Sequence, residues 1–174
     1  MVMQVDSNQR EEAVQSGVAP VYVYRSLVQD FLDVCAEFAP KETVGFLFGE
    51  RLQWRGRRYA VVQRWEPGFG LSAERTGARL TALEISAIRN RIDGEEDDDD
   101  SLSLLGICHS HPFGVVTDLS VTDNNTFLSF PYNYEGNVFM LGDPGIGMVR
   151  WYCIRKTDEG NVLDECDWVE VMDE

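Results

Sequence analysis

A chain of 174 residues with 44% apolar and 11% aromatic residues is long enough to bury one core without covalent staples. Its formal charge of −15 leaves no basic stripe for a phosphate backbone, which argues against nucleic acid as a partner. No apolar run approaches the roughly 18 residues needed to span a bilayer, and the stretch before Pro20 is too polar for a signal-peptide core, so a cytoplasmic protein with no membrane partner is expected.

Residues 1–19 read as a flexible N-terminal arm and residues 20–174 as a single domain. Val21 to Tyr24 is a short strand of β-branched and aromatic residues. Ser26 is placed to N-cap a helix in which Leu27, Phe31, Leu32, Cys35 and Phe38 recur at three-to-four spacing, ended by Pro40. Thr43 to Phe48 is an apolar strand stopping at Gly49. Arg51 to Arg58 turns around Gly56, and Tyr59 to Trp65 is the next strand. The polar, glycine-rich stretch from Pro67 to Gly77 carries Phe69 and Leu71 in its middle, apolar residues available for contacts outside the core. Leu80, Leu83, Ile85, Ile88 and Ile92 fit a second helix, and Gly94 to Asp100 is a charged run that reads as a solvated loop.

Leu102 to His109 is a strongly apolar strand. Ser120 to Phe130 opens a third helix. Asn137 to Leu141 and Met148 to Ile154 are strands joined by the Gly142-Asp143-Pro144-Gly145 turn, and Val162 to Met172 is a weakly alternating strand or docked tail. Strands and helices interleave, so the expected class is α/β (α+β), a mixed central β-sheet flanked by helices. The four cysteines (Cys35, Cys108, Cys153, Cys166) show no C-x-x-C pairing and read as small buried hydrophobes.

Both histidines of the chain fall in one tripeptide, His109-Ser110-His111, at the end of an apolar strand. On extended backbone that spacing points both imidazoles to one side, while Cys108 turns toward the core. Asp123 follows in Ser120-Val121-Thr122-Asp123. This segment is a capping box by pattern, and it also puts Ser120 and Asp123 on one helix face. Two histidines, one carboxylate and an open fourth position suit a catalytic zinc. The ligand reading of Asp123 is therefore preferred to the cap. A hydrolytic zinc also needs a proton acceptor, and Glu42, between a helix end and a buried strand, is the candidate. An iron(II) oxygenase uses the same ligand types, but it predicts a jelly-roll-like sheet and gives Glu42 no role.

Pro40-x-Glu42-x-x-Gly45-apolar-Leu47-apolar-Gly49, then Gly106-x-x-His109-Ser110-His111-Pro112, then Ser120-x-x-Asp123, resembles the JAB/MPN metalloprotease domain with its JAMM signature. The order of elements matches over roughly residues 20–155. The resemblance implies a cytidine deaminase-like architecture and one zinc per chain held by His109, His111 and Asp123. It makes Glu42 the general base toward the zinc-bound water and Ser120 the hydrogen-bond donor to the oxyanion. One feature departs from the family: eight residues, Pro112 to Leu119, separate His111 from Ser120, where seven are usual. Loop length is thermodynamically inexpensive, and the phase of Ser-x-x-Asp is intact.

The resemblance further implies hydrolysis after the C-terminal glycine of ubiquitin or of a ubiquitin-like or sulfur-carrier protein. The substrate tail would add as a strand beside segments 65–79 and 127–137, with Phe69 and Leu71 as apolar contacts. Both segments are short, which predicts little linkage selectivity. The negative surface favours a tail with basic residues ahead of its glycines. Family members that lack the ligands act as dimerising scaffolds. A homodimer is thus among the expected assemblies, and a non-enzymatic scaffold is the alternative to the hydrolase.

Overall fold

The computed structural model describes residues 2–5, 19–68, 102–129 and 132–173. The expected helix over 80–92, the acidic run 94–100, Phe69 and Leu71 lie outside the described residues. So does most of the expected N-terminal arm, but Val2–Val5 forms a strand, β1, parallel to the last strand of the chain.

The remaining elements are β2 (Val21–Tyr24), α1 (Arg25–Phe38), β3 (Val44–Trp54), β4 (Arg57–Pro67), β5 (Ser103–Ser110), α2 (Val121–Phe127), β6 (Val138–Asp143), β7 (Met148–Thr157), β8 (Gly160–Cys166) and β9 (Trp168–Val171). They make one mixed sheet in the order β1-β9-β2-β4-β3-β5-β6-β7-β8. The expected class is thus correct. The last segment of the chain is two strands, not one. β8 pairs antiparallel with β7, whereas β9 pairs parallel with β2 and lies seven places from β8 in the sheet order. Only Asp167 separates them, so the sheet must curl until its far strands meet. Trp151 of β7 and Trp168 of β9 touch there, ring centroids 6.3 Å apart.

Alternation sorts the residues of the central strands into two cores, while Tyr22, Tyr59, Val61, Val169 and Val171 of β2, β4 and β9 form a third, smaller cluster. Leu47, Leu105, Cys108, Val138, Met140 and Trp151 turn to one face and pack under α1, which contributes Leu27, Val28, Phe31, Leu32 and Cys35. Val44, Phe46, Phe48, Ile107, Phe139 and Tyr152 turn to the other face, where Phe127 of α2 joins them. Phe127 stacks on Phe139 at 4.5 Å and 14°, which seats α2 on the sheet.

Two local expectations change. Ser26 is inside α1, not its cap. Tyr24 holds the cap position without a side-chain bond, and the Ser26 amide and hydroxyl donate to the Asp173 carboxylate at 3.0 and 2.7 Å. An acid from the chain's other end thus satisfies the helix start and opposes its dipole. Gly49 does not stop β3. The strand runs on to Trp54, and its register with β4 shifts between Phe48 and Gly49. A Cβ at Gly49 would lie 2.0 Å from the Val61 carbonyl oxygen, so glycine permits the close approach that the bulge needs.

Candidate metal centre

Parity and register build the site. Val44 of β3 pairs with His109 of β5 in an antiparallel ladder. Continued by one pleat, that register brings Glu42 level with His111, on the face that carries α2. Ser110, between the histidines, points the other way and is fully buried. Its amide donates to the Thr43 carbonyl at 2.9 Å, and its Oγ accepts from the Thr43 amide at 2.7 Å. These two bonds extend the β3–β5 ladder past the end of β3 and fix the backbone next to Glu42. On the other side the His111 amide donates to Gly142 of β6 at 2.9 Å.

The side chains converge. His109 Nε2 lies 3.6 Å from Glu42 Oε2 and 3.6 Å from Asp123 Oδ1, and His111 Nε2 lies 3.3 Å from Asp123 Oδ2. Glu42, His109 and His111 are only 6%, 4% and 6% exposed. One ligand atom each from these three falls within 4.8 Å of the others, a spacing that could hold a metal ion. His109 Nε2 is buried without a hydrogen-bond partner while facing two carboxylates. A buried polar atom left unpaired is costly, and a cation among these donors would satisfy it. The donor set of two imidazoles and carboxylate oxygen fits a borderline divalent ion such as zinc.

The electrostatics separate the two carboxylates. Burial raises Glu42 above the usual glutamate range and the charge of Asp123 adds to the rise, while His111 opposes it. Burial also raises Asp123, but hydrogen bonds from His111 and Ser120 outweigh it and hold that carboxyl well below its ordinary range. Burial pushes His109 down to about 4 and keeps it neutral, the form that binds metal; the nearby Asp123 only partly offsets this.

Asp123 makes the capping box that its pattern allows. Ser120 is the N-cap of α2 and accepts from the Asp123 amide at 3.1 Å, and Asp123 Oδ2 accepts from the Ser120 amide at 2.8 Å. The carboxylate has two oxygens, and while Oδ2 caps, Oδ1 faces His109.

A family model described as prokaryotic homologs of the JAB domain matches residues 25–129, more than half of the chain and the whole span from α1 to α2. The chain belongs to the prokaryotic JAB family. The solution structure of protein DSY2949 from Desulfitobacterium hafniense is similar in fold, with a TM-score of 0.60 at 16% identity, covering 88% of this chain and 94% of that one. Comparison with curated proteins gives no match. A JAB domain with a mixed, curled sheet is not the jelly roll that the oxygenase alternative requires. Among the described residues no helix is long and apolar enough to cross a membrane.

This JAB domain also uses residues that the motif reading passed over. Ser110 is the ladder clamp just described. Buried Asp143 accepts from the amides of Gly114 and Val115 at 2.8 and 3.2 Å and anchors the loop after Pro112. The available signal was physical: a buried serine or aspartate in an apolar strand must find partners. Thr117 lies 3.0 Å from His111 Nδ1, and no pattern in the sequence marks it.

Proposed function

We propose that this chain is a zinc-dependent hydrolase that cleaves the peptide or isopeptide bond after the C-terminal glycine of a ubiquitin-like or sulfur-carrier protein. The observation that carries the reading is the buried, unpaired Nε2 of His109 between two carboxylates whose surroundings shift them in opposite directions. Such a split is how one site assigns acid–base and ligand roles to like groups. Asp123, held anionic, suits ligation beside His109 and His111. Glu42, held closer to neutral, suits proton transfer.

Bound zinc would supply a water of lowered pKa and polarise the scissile carbonyl. Glu42 would take the proton from the attacking water and return it to the leaving amine, so atoms and charge balance over the cycle. The Ser120 oxygen already accepts from the Asp123 amide, which leaves its hydroxyl hydrogen to donate to the carbonyl oxygen as charge builds there. Phe113, stacked on His111 at 5.5 Å, and the exposed Val115 and Val116 offer apolar contacts to a polypeptide beside the centre.

The test measures zinc content and cleavage of a ubiquitin-like fusion by wild type, Glu42→Gln and Asp123→Asn. The Glu42 variant should keep zinc and lose cleavage by at least about 100-fold; the Asp123 variant should lose zinc. Equal activity of Glu42→Gln would sink its assigned role. Zinc lost from the Glu42 variant but kept by the Asp123 variant would make Glu42 the third ligand, as the compact Glu42-His109-His111 group allows.

A further inference from the structure

His111 Nδ1 lies 3.0 Å from Thr117 Oγ1, on the irregular loop between β5 and α2. That loop contains the eight-residue spacer from Pro112 to Leu119. It is pinned at two points. Asp143 holds its first half through the Gly114 and Val115 amides. Arg150 of β7 holds its second half: Nη1 donates to the Thr117 carbonyl at 3.0 Å and lies 2.6 Å from Asp118 Oδ1. Arg150 is itself fixed by a two-pronged contact with Glu165 of β8, at 2.9 and 2.5 Å, and its guanidinium lies over the Tyr152 ring. Tyr152 also reaches Asp118 at 3.3 Å. A guanidinium with three partners and only 21% side-chain exposure is a rigid anchor, unlike an open surface pair.

We propose that Thr117 and Arg150 are positioning residues for His111, acting in series and resting on the reading of this site as a metal centre. Thr117 Oγ1 is placed to accept a hydrogen bond from Nδ1–H, which orients the ring and leaves Nε2 to the metal once a cation displaces the proton that Nε2 shares with Asp123. Arg150 places Thr117 by holding its carbonyl. The lengthened spacer is accommodated because Asp143 and Arg150 each tie down one half of it. A hydrogen-bonded partner on the distal imidazole nitrogen commonly sets ring orientation and metal affinity.

The experiment uses the purified full chain, stripped of metal, with zinc ion as the probe. Zinc affinity is measured by chelator competition, and the His111 Nδ1–H is followed by nitrogen-15 NMR after zinc is restored. Thr117→Val should weaken zinc by about 10- to 100-fold and speed solvent exchange of the His111 Nδ1–H. Thr117→Ser should restore both to within about threefold of wild type. Arg150→Gln should weaken zinc by a smaller factor, and the double variant should be no weaker than Thr117→Val, since both act through one bond. Should Arg150→Gln fail to fold, Asp118→Asn removes the exposed loop-side carboxylate and carries the same expectation. The proposal is overturned by Thr117→Val binding zinc like wild type, by the two losses multiplying in the double variant, or by a His111 Nδ1–H that exchanges as fast in wild type as in Thr117→Val. A zinc-loaded wild type that cleaves no fusion would remove the proposed substrate and leave this result intact, because neither readout uses cleavage.

Discussion

Glu42 and Asp123 approach the same imidazole from different elements, at 3.6 Å each, yet carry opposite pKa shifts. The cause is the number of donors. Asp123 receives the Ser120 amide and the His111 ring, whereas Glu42 is desolvated without comparable compensation. Ionised Glu42 therefore opposes folding at neutral pH. Glu42→Gln should raise the unfolding temperature of the metal-free protein at pH near 7 while abolishing cleavage, a trade of stability for function. Calorimetry of both forms checks this, and a lower midpoint for the variant would contradict it. His109 gives a second pH signature. Its folded pKa of about 4 lies below the ordinary 6.5, so the unfolded chain binds more protons in between. Its contribution is fully present above about 6.5 and is lost as pH falls toward 4, on the order of 3 kcal/mol in the metal-free protein. Denaturant titrations across that window should show the decline. The residue types of this site were legible in the sequence, because a His-Ser-His run and a Ser-x-x-Asp are local patterns. The shifts were not, since they depend on burial and on donors from other elements.

At the scale of elements, α2 is a helix of 7 residues that delivers Asp123 because Phe127 anchors one end and the capping box the other. Ser120→Ala should cost about 1 kcal/mol, or about 2–4 °C in midpoint, through loss of the cap. The Ser120 amide still holds Asp123, so zinc affinity should stay within about threefold while turnover falls by about 100-fold or more. Thermal unfolding and kinetics separate the two roles; a stability loss with unchanged turnover would reduce Ser120 to a cap. Two element boundaries escaped the sequence for definable reasons. Gly49 reads as a terminator when its neighbours are unknown, and only the nearby Val61 carbonyl shows it to be a bulge. Ser26 has the chemistry of a cap, but Asp173, 147 residues away in the chain, engages it first.

The whole molecule is held in its curled form where β7 and β9 meet. Trp151 is fully buried and Trp168 nearly so. Trp151→Ala should lose about 3–5 kcal/mol by urea or thermal unfolding. Trp54, part-exposed at the β3–β4 hairpin, should cost no more than about 0.5 kcal/mol when changed to alanine. Equal losses at the two sites would mean that closure does not concentrate stability at this junction. Curling also positions the centre indirectly, because β8 supplies Glu165 to hold Arg150, and Arg150 holds the loop beside His111. By itself the sequence determined the mixed sheet, the helix under it, the strand-borne histidine pair and the acids available to it, because alternation, helical spacing and caps are set by neighbours in the chain. Tertiary structure alone decided that Val162 to Met172 splits between distant strands, that Glu42 is buried and destabilised, and that Thr117 and Arg150 back the second histidine. Each of those depends on contacts between residues far apart in sequence, where local propensity carries no information.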